Sequence, residues 1–258
     1  MSSKNASREH LLKSLDAGIR LDGRKHDDFR VVSVEYGVST TAEGSAKVKI
    51  GETEVIAGVK LSIEKPFPDT PDDGVVMVNA ELLPLSSSRF ESGPPSIEAI
   101  ELSRVVDRGI RESKALDVKA LCIKKGEKVW SVSIDICTLN DAGNLLDASG
   151  LAAIAALQDT FFPAYDGTEI NYKEKTKEKL PLSKIPIPVT VLKIGKYFII
   201  DPLEEEHSCS DARLTVTTTA DGTICSLQKG GNATISVEDV GTMVELALAQ
   251  ADTLREKL

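Results

Sequence analysis

Hydrophobic positions recur along the chain with two different periods, and the chain switches between them several times. Between Ser7 and Ile19, Leu11, Leu12, Leu15 and Ile19 recur at helical spacing and Gly18 is a stop signal, so a short amphipathic helix is expected. From Val31 the period falls to two. Val31–Tyr36, Ser45–Ile50 and Val55–Ile63 alternate and are rich in Val and Ile, as half-buried strands are. Gly51-Glu52-Thr53 joins the last two at hairpin length. A Pro/Asp loop (Lys65–Gly74), a strand (Val75–Leu83) and a second loop (Pro84–Pro95) follow. Strands at Ala120–Lys124 and Val129–Thr138 then precede Leu145–Leu157, an apolar helix whose small residues imply close packing. Trp130, the only tryptophan, is expected in the core.

Tyr165–Leu180 breaks the pattern. It is polar and charge-rich, as a linker or exposed excursion is. Strands resume at Val189–Ile194, Tyr197–Ile200, Leu214–Thr219 and Thr223–Gln228, and Val240–Leu254 reads as a long amphipathic helix. Strands followed by helices on both sides of the polar stretch suggest two weak repeats of one unit and an α+β plan with helices laid on mixed sheets. The expected division is residues 1–164, a polar excursion or linker at 165–180, and residues 181–258.

One helix carries unusual chemistry. In Pro94–Asp117 a proline pair leads to Ser96, a candidate N-cap, with Glu98 and Glu101 at the positive end of the helix dipole. Leu102, Val105, Val106, Gly109 and Ile110 fall on one side. Arg104, Arg108 and Arg111 fall on the other, and each guanidinium is a planar fork suited to phosphate oxygens. The simpler reading of the pattern is a solvated face, because Glu101, Asp107 and Glu112 lie within helical reach for ordinary surface ion pairs. Arg20, Arg24 and Arg30 cluster around the Asp22-Gly23 turn, either as a second basic spot or as a turn exposing charge to solvent.

Composition narrows the choices. Hydrophobic residues make up 41% and charged residues 28% of 258, an ordinary globular balance. The net charge of −9 argues against a generally basic coat for nucleic acid, so any polyanion would meet a local patch or a partner chain. Cys122, Cys137, Cys209 and Cys225 form no CxxC pair, and the His207/Cys209 pair lacks a second pair, so neither a metal site nor any other cofactor is expected. Reduced thiols and a cytoplasmic location are the default. Met1–Asp16 has no apolar run of signal-peptide type, and no stretch reaches membrane-spanning length.

Across nearly the whole chain, several segments in order resemble the RNase PH family. They are GIRLDGRKHDDFR (Gly18–Arg30), AEGSAKVKIGETEVIAGVK (Ala42–Lys60), NAELLPLSS (Asn79–Ser87), ESGPP (Glu91–Pro95), IELSRVVDRGIRESKALD (Ile100–Asp117) and GNLLDASGLAAIAAL (Gly143–Leu157). Within the family they are most similar to the non-catalytic ring subunits of archaeal exosomes. The resemblance implies the RNase PH fold, two strand-rich halves like ribosomal S5 domain 2. It also implies a hexameric ring, a trimer of heterodimers with a catalytic RNase PH-like subunit, joined by RNA-binding cap subunits. The family's chemistry is phosphorolysis of single-stranded RNA from the 3′ end, which needs a phosphate cradle, cations on the RNA backbone and a carboxylate near the leaving oxygen.

Against that template the chain departs in one place and agrees in another. The catalytic cradle resembles Gly-Thr/Ser-Arg-Thr-Ala at the start of the second helix. Here Asp147-Ala148-Ser149-Gly150-Leu151 is taken for that position, with no arginine and with Asp147 expected to bring negative charge against the phosphate. Asp201, Glu205 and Asp211 resemble the family's acidic segment at shorter spacing. An acidic loop between strands is the simpler reading, and a paired-carboxylate site the other. Arg104 and Arg108 match positions where this subunit type contributes RNA contacts, with Arg111 the weaker candidate because Asp107 pairs with it at i,i+4. The expected function is therefore a non-catalytic, RNA-binding ring subunit, with no catalytic residue of its own. Two alternatives stay open: a phosphorolytic 3′→5′ exoribonuclease in its own right, and an architectural subunit without RNA contact.

Overall fold

Along Thr53–Glu64, buried and half-exposed side chains alternate for ten residues, so one face of this strand is core and the other is not. The same logic builds the rest. The computed structural model describes residues 2–258, with side chains from Ala6 onward. In chain order the elements are α1 (Ser2–Asp16), β1 (Val32–Tyr36), β2 (Gly44–Ile50), β3 (Thr53–Glu64), β4 (Val75–Glu81), α2 (Ile97–Glu112), β5 (Cys122–Lys124), β6 (Lys128–Asn140), α3 (Leu145–Gln158), β7 (Phe161–Tyr165), β8 (Ile170–Lys179), β9 (Ile187–Ile194), β10 (Tyr197–Ile200), α4 (Glu204–Ser208), β11 (Ala212–Thr218), β12 (Ile224–Gly230) and α5 (Val237–Arg255).

The strands form a six-stranded sheet ordered β1-β2-β3-β6-β4 with β5 on β6, and a four-stranded sheet ordered β10-β9-β11-β12. The first is mixed, because β4 runs parallel to β6 while its other pairings are antiparallel. A parallel pair needs a crossover rather than a hairpin, and the chain between β4 and β6 supplies one that includes α2. The second sheet is wholly antiparallel. The expected α+β plan holds. Residues 165–180, expected as a polar linker or exposed excursion, are mostly strand: β8 pairs with β7 as a separate hairpin. Its polarity reflects exposure along nearly its whole length rather than lack of structure.

α3 lies between the two sheets, and every residue from Leu146 to Leu157 is buried. A helix enclosed on all sides has no polar face to show, which explains its low polarity and its alanines. Small residues let the elements close up: a Cβ on Gly150 would collide with the Pro188 ring. One continuous core then runs from Val48, Val59 and Ile134 through Leu151 and Ile154 to Val189, Val216 and Leu254. Trp130 joins it at 8% exposure, with its ring 5.3 Å from Phe162. α5 starts at a reciprocal Ser236–Asp239 capping box and buries Met243, Ala247, Ala251 and Leu254.

The chain's beginning returns to the second sheet. Leu11 and Leu15 of α1 pack with Leu192, Ile194, Ile199 and Cys209 in a smaller cluster. Arg8 adds an ion pair to Asp211 and a hydrogen bond to the Cys209 carbonyl. All four cysteines are free thiols.

Candidate functional site

α2 begins where the sequence places it. The Ser96 hydroxyl accepts from Ala99 N–H at 3.2 Å, and Glu98 stands in the first turn. Its apolar stripe, with Ala99 added, is buried. At Gly109 the helix comes close to β11, where a Cβ would sit 3.0 Å from Thr217. The helix is thereby fixed between β4 on one side and β12 on the other, and its remaining face meets solvent.

Arg104, Arg108 and Arg111 line one surface groove of about 470 Å³ between α2 and β4, together with Met77, Asn79 and Asp107. The structure brings all three together but treats them differently. Arg111 is bidentate to Asp107, at 2.7 and 3.3 Å, and also donates to the Val76 carbonyl. Arg108 is half-buried and donates to Gln228 Oε1 at 3.2 Å. Arg104 is exposed and forms no hydrogen bond or ion pair among the described residues. Glu101 does not pair with these arginines: it forms a 2.5 Å ion pair with Arg213 of β11. Burial raises the Glu101 pKa, and the Arg213 contact outweighs it, holding the carboxyl below its usual range. The surface ion pair expected on a solvated face is therefore present at Arg111, whereas Arg104 is solvated and unpaired among the described residues. Gln228 has no signal in the sequence, because its partner lies 120 residues away.

A second concavity, about 340 Å³, opens between the two sheets at the start of α3. Leu82, Leu102, Leu145 and Leu146 form its apolar wall. Two arginines face it, and both are engaged. Arg89 reaches Asp141 at 2.6 Å and Glu204 at 2.9 Å, and Arg213 holds Glu101. With Glu98 the lining carries four carboxylates against two guanidinium groups. His207 lies there too. Burial, and then the Arg213 and Arg89 charges, push its pKa down, so it is neutral at pH 7.

This geometry corrects the expectation placed on Asp147–Leu151. α3 starts at Leu145, so that run lies inside the helix. The residues at the mouth are Gly143, Asn144, Leu145 and Leu146. Gly143 has φ +92, where a side chain is strained, and a Cβ there would press on the Pro202–Glu204 backbone. Asp147 is turned away: it is fully buried and accepts from Thr190 N–H at 3.1 Å and Thr190 Oγ1 at 2.7 Å. Burial pushes its pKa up to about 7, against those hydrogen bonds. The run holds no arginine, and its Asp147 is turned away from the cavity, whose wall at the helix start is Leu145 and Leu146.

The acidic segment does not assemble into a paired-carboxylate site. Asp201 is buried and bound by the Arg30 guanidinium through both oxygens, with Arg24 and Asn144 alongside. Burial raises its pKa, and Arg30 more than compensates, leaving it lowered. Glu205 points to solvent, and Asp211 is taken by Arg8 and Gly195 N–H. The intervening Glu206 is also buried, with Arg20. The turn at Asp22-Gly23 is exposed, but Arg20, Arg24 and Arg30 are not spent on solvent: they tie Gly18–Arg30 to Asp201 and, through Glu206, to α4. Among the described residues no group of three or more His, Cys, Asp or Glu could hold a metal ion. No helix there is long and apolar enough to cross a membrane.

Comparison with known proteins agrees along the full length. The 3′ exoribonuclease family, domain 1, matches residues 28–163, and domain 2 of the same family matches residues 184–250. The chain is 48% identical over 251 residues to the exosome complex component Rrp42 of Methanocella arvoryzae, covering 97% of this chain and 95% of that protein. It superposes at a TM-score of 0.92 and 45% identity on a chain of the Archaeoglobus fulgidus exosome with RNA bound to the active site, covering 100% and 99% of the two chains. A chain of an archaeal exosome core gives 0.88 and 43%, again covering 100% and 99%. With both family domains matched in order and relatives this similar over the whole length, the chain belongs to the RNase PH family of 3′ exoribonucleases.

Proposed function

We propose that this chain is the non-catalytic subunit of a phosphorolytic 3′→5′ exoribonuclease ring, an exosome. Residues 1–164 and 181–258 are its two RNase PH-like halves. It alternates with a catalytic RNase PH-like subunit in a trimer of heterodimers, below RNA-binding cap subunits. It shapes the neighbour's active site and grips single-stranded RNA with Arg104 and Arg108, Arg111 contributing less. The observation that carries the RNA contact is Arg104, an exposed guanidinium with no partner among the described residues in a groove already framed by two others. Backbone contacts of this kind ignore sequence, as a processive nuclease requires.

The lack of chemistry of its own rests on the cavity at α3. A phosphate entering there would meet leucines at the helix start, arginines already neutralised, and a surplus of carboxylates.

The test is phosphate-dependent release of nucleoside diphosphate from a short poly(A) RNA by this chain, by the catalytic homologue, and by their mixture. Activity confined to the mixture, or greatly raised in it, is expected, and equal activity from this chain alone would overturn the non-catalytic assignment. In the mixture, Arg104→Glu with Arg108→Glu should lower turnover while the ring still assembles. Unchanged turnover would leave an architectural subunit without RNA contact.

A further inference from the structure

The three groove arginines are not equivalent around α2. At about 100° per residue, Arg108 lies about 40° to one side of Arg104 and Arg111 about 20° to the other. The side chains follow these directions. Arg111 leans to β4, where it donates to the Val76 carbonyl, and Arg108 leans to β12, where it donates to Gln228.

The Gln228 amide is used at both ends. Its Oε1 accepts from Arg108 Nη1 at 3.2 Å, and its Nε2 donates to Glu101 Oε1 at 3.3 Å. Glu101 is in turn held by Arg213 Nη2 at 2.5 Å. The chain Arg108–Gln228–Glu101–Arg213 therefore runs from the groove to the cavity between the sheets, through α2, β12 and β11. Each member fixes the next. The Glu101 contact sets which end of the amide faces Arg108, because only the oxygen can accept from a guanidinium. Glu101, one turn before Arg104 on the same helix, would be a natural ion-pair partner for the groove arginines. Arg213 withdraws it.

We propose that Gln228 is a positioning residue for Arg108. It holds the guanidinium in a defined place beside the groove with a neutral acceptor, so that no carboxylate competes with an RNA phosphate. Asp107 shows the contrast, since its bidentate pair already satisfies much of Arg111. A neutral amide gives up its arginine to a phosphate oxygen at little cost, and a fixed side chain loses less rotamer freedom on binding. The inference rests on the RNA-contact reading of Arg108.

The experiment is a double-mutant cycle in the reconstituted ring with the catalytic homologue, measuring KM and kcat on poly(A) and the affinity for the same RNA. Gln228→Leu removes the acceptor, and Gln228→Asn shortens it by one methylene. Each should raise KM about three- to tenfold, the cost of ordering one otherwise free side chain on binding, with kcat little changed. In an Arg108→Ala background the same substitutions should change nothing further. Thermal unfolding and sizing of each ring show whether it is folded and assembled. If Gln228→Leu and Gln228→Asn leave KM unchanged while Arg108→Ala raises it, the positioning role is wrong and the RNA contact stands. If their effect persists in the Arg108→Ala background, Gln228 acts by another route and the role is again wrong. If Arg108→Ala itself changes nothing, the RNA-contact reading has failed, and this inference with it.

Discussion

The Asp147 carboxylate takes both hydrogen bonds that Thr190 offers, from its backbone N–H and from its hydroxyl, in a site with no solvent exposure. The Thr190 hydroxyl also lies 2.9 Å from that of Thr215. The contact joins α3 to β9 and, through Thr215, to β11. Its pH dependence follows from the raised pKa. The folded chain keeps the Asp147 proton up to about pH 7, whereas the unfolded chain releases it near the ordinary aspartate value of 3.8. Between those values the unfolded state binds fewer protons, so this group's contribution to stability falls as pH rises and levels off above 7. Asp147→Asn removes the titration and keeps one acceptor. Its stability relative to wild type should therefore improve from pH 5 to pH 7 and level off above it, by an amount on the order of a few kcal/mol at most. His207 and the paired carboxylates titrate in both proteins and cancel in the difference. Denaturant midpoints at several pH values measure it, and a difference independent of pH would mean that Asp147 is ionised throughout.

Arg20 and Glu206 form a bidentate pair with no exposure on either side chain, at 2.9 and 2.5 Å. Arg20 also donates to the carbonyls of Ile200 and Asp201. The pair fastens the segment after α1 to α4. Breaking one partner strands a buried charge, so Glu206→Leu or Arg20→Met should each cost about 3–5 kcal/mol. Replacing both with apolar residues should cost markedly less than the sum, because neither charge is left alone. Chemical denaturation of the four proteins tests this, and additive losses would show that the pair is not coupled.

The strands of the two larger sheets and the three long core-covering helices were legible because their signals are local, whereas the β7–β8 hairpin was not. Alternation marks β3 and β6, and the stripe from Leu102 to Ile110 marks α2 together with its Ser96 cap. β8 was missed because an exposed two-stranded hairpin has no buried face to impose alternation, and Lys-Glu repeats resemble a solvated connector. The site was legible as a set of arginines but not as a set of roles. What separates Arg104 from Arg111 is partly local, the Asp107 pair. What fixes Arg108 is Gln228, and what removes Glu101 is Arg213, both contacts between residues more than a hundred positions apart. The same distance hid the fate of Arg20, Arg24 and Arg30. Their partners Asp201 and Glu206 sit in a segment that looks like a catalytic acid loop until the pairing is seen.

Those differences in pairing rank the arginines by what each can give to RNA. Removing a guanidinium costs binding only so far as it was available to a phosphate. Arg104 has no partner to leave, Arg108 has a neutral one, and Arg111 must give up an ion pair with Asp107. Single alanine substitutions in the assembled ring should therefore weaken RNA binding in the order Arg104, Arg108, Arg111. The Arg111 effect should be the smallest of the three, because a phosphate contact there must first offset both the Asp107 pair and the bond to the Val76 carbonyl. Salt dependence reports the same ranking independently. Each lost phosphate contact should flatten the slope of log affinity against log salt by about 0.7 on a single strand. Arg104→Ala should show nearly this change and Arg111→Ala little of it. Asp107→Asn supplies the converse, since it frees Arg111 and should steepen the slope. If Arg111→Ala and Arg104→Ala flatten the slope equally, the ion pair with Asp107 opens freely on binding, and static pairing does not decide which arginines the RNA uses.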